Sequence, residues 1–324
     1  MVYDISIIVP IYNTEKYIEK CLVSLFEQDY DNIEYIFVND KTMDNSMQIL
    51  SNVLKRYPNR EKHVKIINKL KNEGLGQARK TGFENSTGKY IIHIDSDDWC
   101  ELDMISSLYS KAKEENADIV CCDYFENYSN KEIYVKQNLK NPIKNSTSLI
   151  YKYTLWPMVW LYLAKKDLYK NVEFADFSYA EDNYLTTQLF YCSKKSIHIN
   201  FGYYHYNRAN EHSLTKKYDI QKEIDGLRVL DTKLRIFFKK KNIWERYKSQ
   251  HFSFIIRSIA PKAKMDFFKA IEEINPDANS VKHIIKDDNL GIIKKAFYSL
   301  IFIKMLWLFC LAQDLKTIFK KSKL

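Results

Sequence analysis

The chain has 324 residues, of which 46% are hydrophobic and 28% are charged, a balance typical of a folded protein that excludes disorder throughout. Its six cysteines include no C-x-x-C pair, which argues against a zinc module and against a secreted disulfide framework. Residues 1–215 hold 26 basic and 29 acidic side chains, a net charge of −3, whereas residues 216–324 hold 24 and 12, a net charge of +12.

The first 120 residues alternate between strand-like and helix-like patterns. Apolar, β-branched runs predict strands at Ile5–Tyr12, Ile33–Val38, Val64–Asn68 and Tyr90–Ile94, with helical spacing of apolar residues after each of the first three. Strands that alternate with helices in this way make right-handed βαβ units. The pattern therefore predicts an α/β fold with a doubly wound, mostly parallel sheet flanked by helices.

The rest of the chain is less regular at first and then helical. A helix is predicted to begin at Ala180-Glu181-Asp182. From about Ile220, Leu227, Leu230 and Leu234 recur on one helical face, which predicts a mainly helical carboxyl-terminal region. Since ligands of doubly wound sheets bind beyond the carboxyl ends of the strands, the candidate site is expected in the first part of the chain.

An acidic motif, Asp95-Ser96-Asp97-Asp98, follows the fourth predicted strand. Three carboxylates at one sheet edge repel each other, which favours a bound cation. Hard oxygen ligands select Mg²⁺ or Mn²⁺, and two protein ligands suffice when a diphosphate supplies the others. The alternative is an acidic turn that caps the helix predicted near Glu101.

Four segments occur in a specific order: ISIIVPIYN, FVND with a later DNS, NEGLGQARKTG and YIIHIDSDDW. Together they resemble the inverting family-2 glycosyltransferases of the GT-A fold, of the bacterial surface-glycan type, over roughly residues 4–215. The resemblance implies a GT-A catalytic domain at 1–215, with a nucleotide-sugar half (1–122) and an acceptor half (123–215). The sequence departs from the family pattern at Lys41-Thr42-Met43, where the family commonly has Gly-Ser-Thr.

The resemblance also implies a nucleotide-sugar site. Asp40 would accept a hydrogen bond from the uracil ring, Asp95 would face the ribose or the sugar, and Asp97, with Asp95, would bind the metal. The implied binding residues are Pro10, Tyr12, Asp40, Asn72, Arg79, Asp95, Ser96 and Asp97, joined in a closing segment by Arg208, His212 and Ser213. Individually, Tyr12 is also compatible with a core-capping aromatic, Asp40 with a turn residue and Arg79 with a solvated helix position.

Transfer with inversion needs a base on the acceptor hydroxyl, opposite the departing diphosphate. By the resemblance, Asp182 is this base and Glu181 its neighbour in an acidic pair; the alternative is a helix cap. A helix N-terminus lowers the pKa of an acid, which works against a base at this position. Trp160 matches the family's acceptor-side tryptophan, although a buried core tryptophan fits its residue type equally well.

Residues 290–324 are both apolar and basic. Phe297–Ala312 has one charge in sixteen residues, and seven lysines against one aspartate follow Asn289. Such a composition predicts an amphipathic tail on an anionic membrane, with a helix packed against the protein as the alternative. The amino-terminal sequence lacks the features of a signal peptide, so we expect a cytoplasmic protein, peripheral on the inner face of the cell membrane.

These observations predict a hexosyl- or N-acetylhexosaminyl-transferase that moves a sugar from a nucleotide-diphosphate sugar to a glycan or lipid-linked acceptor, and the expected donor is a UDP-sugar. Two rivals are a catalytically weak sugar-nucleotide binder or membrane scaffold and a nucleotidyltransferase that makes nucleotide-sugars. A nucleotidyltransferase would need a glycine-rich basic loop after the first strand, and residues 12–16 contain no glycine. A nucleic-acid partner is not expected, because the predicted crevice is acidic.

Overall fold

The computed structural model describes residues 3–137, 139–143, 147, 156–210, 219–303 and 305–321, with side chains as far as residue 314. The chain divides into two compact units. One is formed by Met1–Thr147 with Thr154–Lys216, and the other by Ser148–Tyr153 with Lys217–Leu324. The described strands all lie in the first unit, and the described part of the second is helical.

The described strands form one nine-stranded sheet. In chain order they are β1 (Ile5–Ile11), β2 (Ile33–Asn39), β3 (Val64–Asn68), β4 (Tyr90–His93), β5 (Trp99–Cys100), β6 (Ile119–Asn127), β7 (Glu132–Val135), β8 (Tyr162–Lys165) and β9 (Ser196–Asn207). Their order in the sheet is β3-β2-β1-β4-β8-β6-β9-β5, with β7 paired to β6. The pairs β1·β2, β1·β4, β2·β3 and β6·β9 are parallel, whereas β5, β7 and β8 run antiparallel to their neighbours.

Helices lie between the strands of the first unit and make up the second. They are α1 (Ile18–Phe26), α2 (Ser46–Leu54), α3 (Pro58–Glu61), α4 (Leu75–Glu84), α5 (Met104–Glu114), α6 (Glu181–Cys192), α7 (Ile220–Lys240), α8 (Trp244–Ala263), α9 (Phe267–Ile274), α10 (Val281–Ile285), α11 (Ile292–Ser299) and α12 (Leu306–Lys321). The four predicted strands and the predicted start of α6 are confirmed to within a residue or two. The α/β fold with a sheet flanked by helices is also confirmed, and the sheet is mixed: its first four strands pair in parallel, whereas β5, β7 and β8 pair antiparallel.

Burial explains why the first strands sit at the centre of the sheet. Every residue of β1 is buried, as expected for an apolar strand with helices on both faces, whereas β3 at the sheet edge is largely exposed. The start of β4 is fixed by the buried carboxylate of Glu34, which accepts hydrogen bonds from the Ser6 hydroxyl and from the backbone amides of Thr87 and Gly88. These contacts join β1, β2 and β4, whose carboxyl ends carry the predicted site.

Gly82 brings α4 close to the sheet. A Cβ atom at this position would lie 2.3 Å from Cγ2 of Ile8 on β1, a separation that carbon atoms do not tolerate. Because Arg79 lies one turn earlier on α4, the same close packing sets the position of its guanidinium group beside the end of β4. Gly82 thereby helps to position Arg79, a residue of the predicted site.

In the second unit, the predicted apolar face of α7 is buried, with Leu227, Leu230 and Leu234 each at most 2% exposed. A buried polar contact also ties its helices together. Asp231 on α7 accepts hydrogen bonds from His251 on α8 at 2.9 Å and from Asn275, just after α9, at 2.8 Å. Both oxygens of a buried carboxylate are thus satisfied, as burial requires.

The described part of the tail forms α11 and α12. It is partly packed, since Phe309 is fully buried and its ring lies 4.8 Å from that of Phe297, and its attachment to a membrane stays a prediction. Ile292 and Ile293 at the start of α11 are 84% and 83% exposed. Within the described residues, no helix is both long enough and apolar enough to span a bilayer.

Candidate active site

The carboxyl ends of β1, β2 and β4 bring the predicted residues to one sheet edge. Pro10 is buried within β1, whereas Tyr12, just beyond it, is 46% exposed. Tyr12 therefore does not cap the core and its ring is available to a ligand. The residue after it, Asn13, has a left-handed backbone (φ 53°), and its amide donates to Thr42 Oγ1 at 2.7 Å, which ties the ends of β1 and β2 together.

The loop after β2 contains the departure from the family pattern. Lys41 adopts a left-handed backbone (φ 62°), the conformation for which glycine is preferred. Thr42 stands where serine is common, and its hydroxyl donates to Asp44 Oδ1 at 2.7 Å. Met43 is 81% exposed. The hydroxyl contact of this loop is therefore retained, while lysine takes the glycine position at some backbone strain.

Asp40 is buried and shapes the neighbouring loop. Its carboxylate accepts hydrogen bonds from the amides of Glu73 (3.0 Å) and Gly74 (2.9 Å) and pairs with Lys69 Nζ at 3.0 Å. Asn72 Oδ1 also accepts from the Gly74 amide at 3.0 Å, and Gly74 has a left-handed backbone (φ 88°). Asp40 thus stabilises the loop at 69–74 and not a turn of its own, and its contact with a uracil ring stays a prediction.

Arg79 is the centre of the site. Its side chain is 1% exposed, so the alternative of a solvated helix residue is wrong. Nη2 donates to Asp95 Oδ1 at 2.7 Å, and Nη1 donates to Glu181 Oε1 at 3.0 Å and to Asp182 Oδ1. One guanidinium group thereby joins the predicted metal motif after β4 to the predicted base at the start of α6, and one positive charge faces three carboxylates.

The acidic pair carries perturbed pKa values. Burial raises the pKa of Asp182 to about 6, although Arg79 and the backbone amide of Val159 act in the opposite direction. Burial, and then the charge of Asp182, raises the pKa of Glu181 to about 8. Desolvation therefore outweighs the helix N-terminus, and it removes the objection that this position would make Asp182 too weak a base.

The aspartate loop, residues 95–98, presents its carboxylates differently. Asp97 is half-buried, and burial followed by the charge of Asp95 raises its pKa to about 6. Ser96 is buried and accepts a hydrogen bond from Thr14 Oγ1 at 3.2 Å, so it supports the loop. Asp98 is fully buried and both of its oxygens accept hydrogen bonds, which makes it a structural carboxylate.

The donor set fits a divalent cation in part. Among the described residues, no group of three or more His, Cys, Asp or Glu side chains is arranged to hold a metal ion. Asp95 and Asp97 supply hard oxygen atoms two residues apart, and a cation would offset both the burial and the neighbouring Asp95 charge that raise the pKa of Asp97. Two carboxylates match a site that is completed by the oxygens of a diphosphate.

Trp160 does not have the predicted acceptor role. It is 2% exposed, and its ring stacks on that of Tyr204 with a centroid distance of 4.1 Å and an angle of 12°. Since this face is covered by a core aromatic, no sugar can stack on it. The alternative of a core tryptophan is the correct one.

The closing segment implied by the resemblance begins at Tyr203 and reaches Thr215. Its residues 203–207 are the end of β9, inside the sheet. His205 is enclosed between the rings of Trp99 and Phe125 and bonds Glu101 Oε1 at 2.8 Å, so its ring is committed to packing. Arg208 lies beyond the strand, where its guanidinium carbon is 5.3 Å from the Tyr206 ring. His212 and Ser213 lie outside the described residues.

Three residues near the end of β9 were not identified by sequence reasoning. Tyr204, Asn207 and Asn210 all donate hydrogen bonds to the aspartate loop. More than one hundred residues separate each from its partner, so no local spacing relates them. In the sequence these residues stand out only as part of a polar and aromatic run after the apolar start of β9, and that run does not indicate which residues they contact.

Comparisons with known proteins agree with this geometry. The family described as "Glycosyl transferase family 2" matches residues 6–180. The chain is 33% identical to the glycosyltransferase GlyA of Streptococcus pneumoniae serotype 4 (65% of this chain, 31% of GlyA) and 32% identical to the uncharacterized glycosyltransferase EpsJ of Bacillus subtilis (67% and 64%). It thus spans about a third of GlyA and slightly less than two thirds of EpsJ.

Among solved structures, S. aureus TarS in complex with UDP-GlcNAc superposes with a TM-score of 0.71, covering 96% of this chain and 90% of that one at 18% sequence identity. At this identity the likeness shows the fold, which is the GT-A arrangement followed by a mostly helical region. The family match includes β1, the aspartate loop and the residues that lead into α6, which is more than half of the sequence. The chain therefore belongs to glycosyl transferase family 2.

Proposed function

We propose that this protein is a metal-assisted, inverting glycosyltransferase that transfers a sugar from a nucleotide-diphosphate sugar to a hydroxyl group of a glycan or lipid-linked oligosaccharide. The observation that carries the proposal is the contact of Arg79 with Asp95 on one side and with Glu181 and Asp182 on the other. A donor-binding loop and a base are thereby held within the length of one side chain, as a single displacement step requires.

The proposed donor is a UDP-sugar. The fold likeness to TarS, whose structures hold UDP-GlcNAc and UDP, supports this choice. The exposed ring of Tyr12 offers a surface on which the uracil ring of the donor could pack. The loop 69–74, which Asp40 stabilises, lies at the neighbouring strand end. A bound Mn²⁺ or Mg²⁺, held by Asp97 and Asp95, would supply the positive charge that the leaving diphosphate needs. Mn²⁺ is present in the solved PcManGT mannosyltransferase of the same fold.

Asp182 is the proposed base. It would accept the proton of the acceptor hydroxyl as the oxygen bonds to the anomeric carbon, while the bond from that carbon to the diphosphate oxygen breaks on the opposite face. Its pKa of about 6 keeps it ionised at neutral pH yet more basic than an ordinary aspartate. Arg79 fixes the orientation of the carboxylate.

The proposed acceptor is presented at an anionic membrane during synthesis of a bacterial surface polysaccharide, with the protein peripheral on the cytoplasmic side. Names of relatives, such as the poly(ribitol-phosphate) β-glucosyltransferase of Bacillus spizizenii, support a surface-polymer acceptor. Ile292 and Ile293 are exposed beside Lys294, a combination suited to the interface of an anionic bilayer. Ile303, Trp307 and Leu311, just before and on α12, are also exposed, at 59%, 58% and 49%, and add apolar surface to the proposed attachment segment.

The deciding experiment incubates purified protein with UDP-sugars and Mn²⁺ and measures both release of UDP and transfer to undecaprenyl-linked or teichoic-type acceptors. We expect activity in the wild type and a loss of at least a hundredfold in Asp97→Asn and in Asp182→Asn, with melting temperatures no lower than that of the wild type. UDP-sugar binding without any UDP release would instead indicate a sugar-nucleotide binder. Release of pyrophosphate from a nucleoside triphosphate and a sugar phosphate would indicate a nucleotidyltransferase.

A further inference from the structure

Tyr204 holds both ends of the aspartate loop. Its side chain is fully buried on Trp160, and its hydroxyl group donates to Asp98 Oδ2 at 2.6 Å and accepts from the Asp95 amide at 3.2 Å. The stacked indole restricts the phenol ring to one orientation. A single hydroxyl group therefore fixes the separation between the first and the last aspartate of the loop.

Two asparagines hold the middle of the same loop. The backbone amide of Asn207 donates to Asp98 Oδ1 at 2.7 Å, and its side-chain Nδ2 donates to the backbone carbonyl oxygen of Asp97 at 3.1 Å. Asn210, which is 5% exposed, donates from Nδ2 to Asp97 Oδ2 at 2.7 Å. The last contact is made to the carboxylate itself, so it sets the direction in which Asp97 points.

All of these donors are neutral. A lysine or arginine in the place of Asn210 would orient Asp97 equally well but would cancel its charge, and so would compete with a cation. A hydroxyl group and three amide groups hold Asp97 and Asp98, whereas the cationic Arg79 contacts Asp95. The Asp97 carboxylate is therefore oriented by a neutral donor, which leaves it able to bind a cation.

We propose that Tyr204 and Asn210 are positioning residues that preorganise Asp95 and Asp97 for a divalent cation. The inference rests on the metal site of the proposed function. Groups that orient metal ligands through hydrogen bonds usually contribute a factor of about 10 to 100 to metal affinity. Tyr204 and Asn210 act through the loop and need not touch either the cation or the donor.

The test measures Mn²⁺ affinity directly, by electron paramagnetic resonance titration of the full chain with UDP present, for Tyr204→Phe and Asn210→Leu. Matched controls exist in the same unit, because Tyr30 and Asn32 donate the same hydroxyl and amide groups to Asp4, at 2.8 and 2.9 Å. We expect about 10- to 100-fold weaker Mn²⁺ binding in Tyr204→Phe and Asn210→Leu, and wild-type affinity in Tyr30→Phe and Asn32→Leu.

Three outcomes separate the possibilities. If the wild type binds Mn²⁺ and Tyr204→Phe and Asn210→Leu bind it with the same affinity, the positioning role is wrong but the metal site stands. A wild-type protein that binds no Mn²⁺ with UDP overturns the metal site and this inference with it. If Asn210→Leu does not fold by circular dichroism, Asn210→Ser replaces it, and a Mn²⁺ affinity in Asn210→Ser equal to that of Asn32→Ser counts against the proposal.

Discussion

Glu181 and Asp182 are adjacent buried carboxyl groups, and burial raises the pKa of both. The pKa is raised to about 8 at Glu181, where the charge of Asp182 adds to burial, and to about 6 at Asp182, so Glu181 keeps its proton to higher pH. Only an ionised carboxylate can take a proton from an acceptor hydroxyl. The two residues therefore predict different pH profiles for the transfer reaction.

If Asp182 is the base, kcat/KM should rise with pH and reach a plateau above about pH 6, because the raised pKa delays ionisation from its ordinary value of 3.8. A base at Glu181 would instead place this rise near pH 8. The measurement is kcat/KM for transfer between pH 5 and 9. Glu181→Gln should keep the plateau above pH 6, and a rise near pH 8 that Glu181→Gln abolishes would reassign the base.

Asp97 gives a second prediction, on stability. Because the pKa of Asp97 is raised from 3.8 to about 6 in the folded protein, its ionised form destabilises the fold. The penalty is absent below pH 4, grows between pH 4 and 6, and is complete above pH 6. Asp97→Asn should therefore stabilise the ligand-free protein by roughly 1 to 2 kcal/mol at pH 7.5, allowing for partial exposure.

Urea denaturation of both proteins at pH 4 and at pH 7.5 measures this difference. The stabilities should coincide at pH 4 and diverge at pH 7.5, where Asp97→Asn is also expected to bind no Mn²⁺. A variant that is less stable than the wild type at pH 7.5 would contradict the charge repulsion inferred for the aspartate loop.

At the scale of single elements, α4 depends on a close approach to β1. A methyl group added at Gly82 would meet Cγ2 of Ile8 at 2.3 Å, so the helix must move away from the sheet. Gly82→Ala should destabilise the protein by about 1 to 3 kcal/mol. Because Arg79 precedes Gly82 by one turn, the displacement should also weaken its contacts with Asp95 and Asp182 and reduce activity beyond the loss of folded protein.

Denaturation and activity measured on the folded fraction test this prediction, with Gly291→Ala as control, since a Cβ atom at Gly291 meets nothing within 4 Å. The double variant Gly82→Ala with Ile8→Ala should lose less stability than the sum of the two single variants, because removing Cγ2 of Ile8 removes the clash. Equal stabilities of Gly82→Ala and Gly291→Ala would mean that α4 has room to accommodate the methyl group.

The elements that sequence predicts well are those with a local cause. The run at 5–12 and the helix start at Glu181 follow from apolar periodicity and are found where expected. The enclosure of Trp160 by Tyr204 and the hydrogen bonds from Asn210 to Asp97 join residues far apart in the chain. Residue type alone cannot distinguish a buried tryptophan from a sugar-stacking one, because both need the same apolar ring.

At the scale of the whole molecule, the net charge of +9 combines two different surfaces. The unit that holds the site has an acidic excess, which under the proposed function a cation would offset when a diphosphate binds, whereas the basic excess lies in residues 216–324. In that helical unit, Lys282, Ile285 and Lys286 on or just after α10 are exposed, as are Ile292 and Ile293 on α11. Lysines and exposed isoleucines together favour an anionic bilayer.

The final prediction is that residues 290–324 attach the protein to anionic vesicles. Inserted isoleucine side chains contribute hydrophobic free energy and each nearby lysine adds about 1 kcal/mol, so binding should weaken with salt. Deleting 290–324 should abolish cosedimentation with phosphatidylglycerol vesicles, and Ile292→Ser with Ile293→Ser should weaken it roughly tenfold or more. Leu70→Ser, at a leucine that is 95% exposed in the other unit, is the control. Unchanged vesicle binding in the deletion variant would show that attachment does not use this segment.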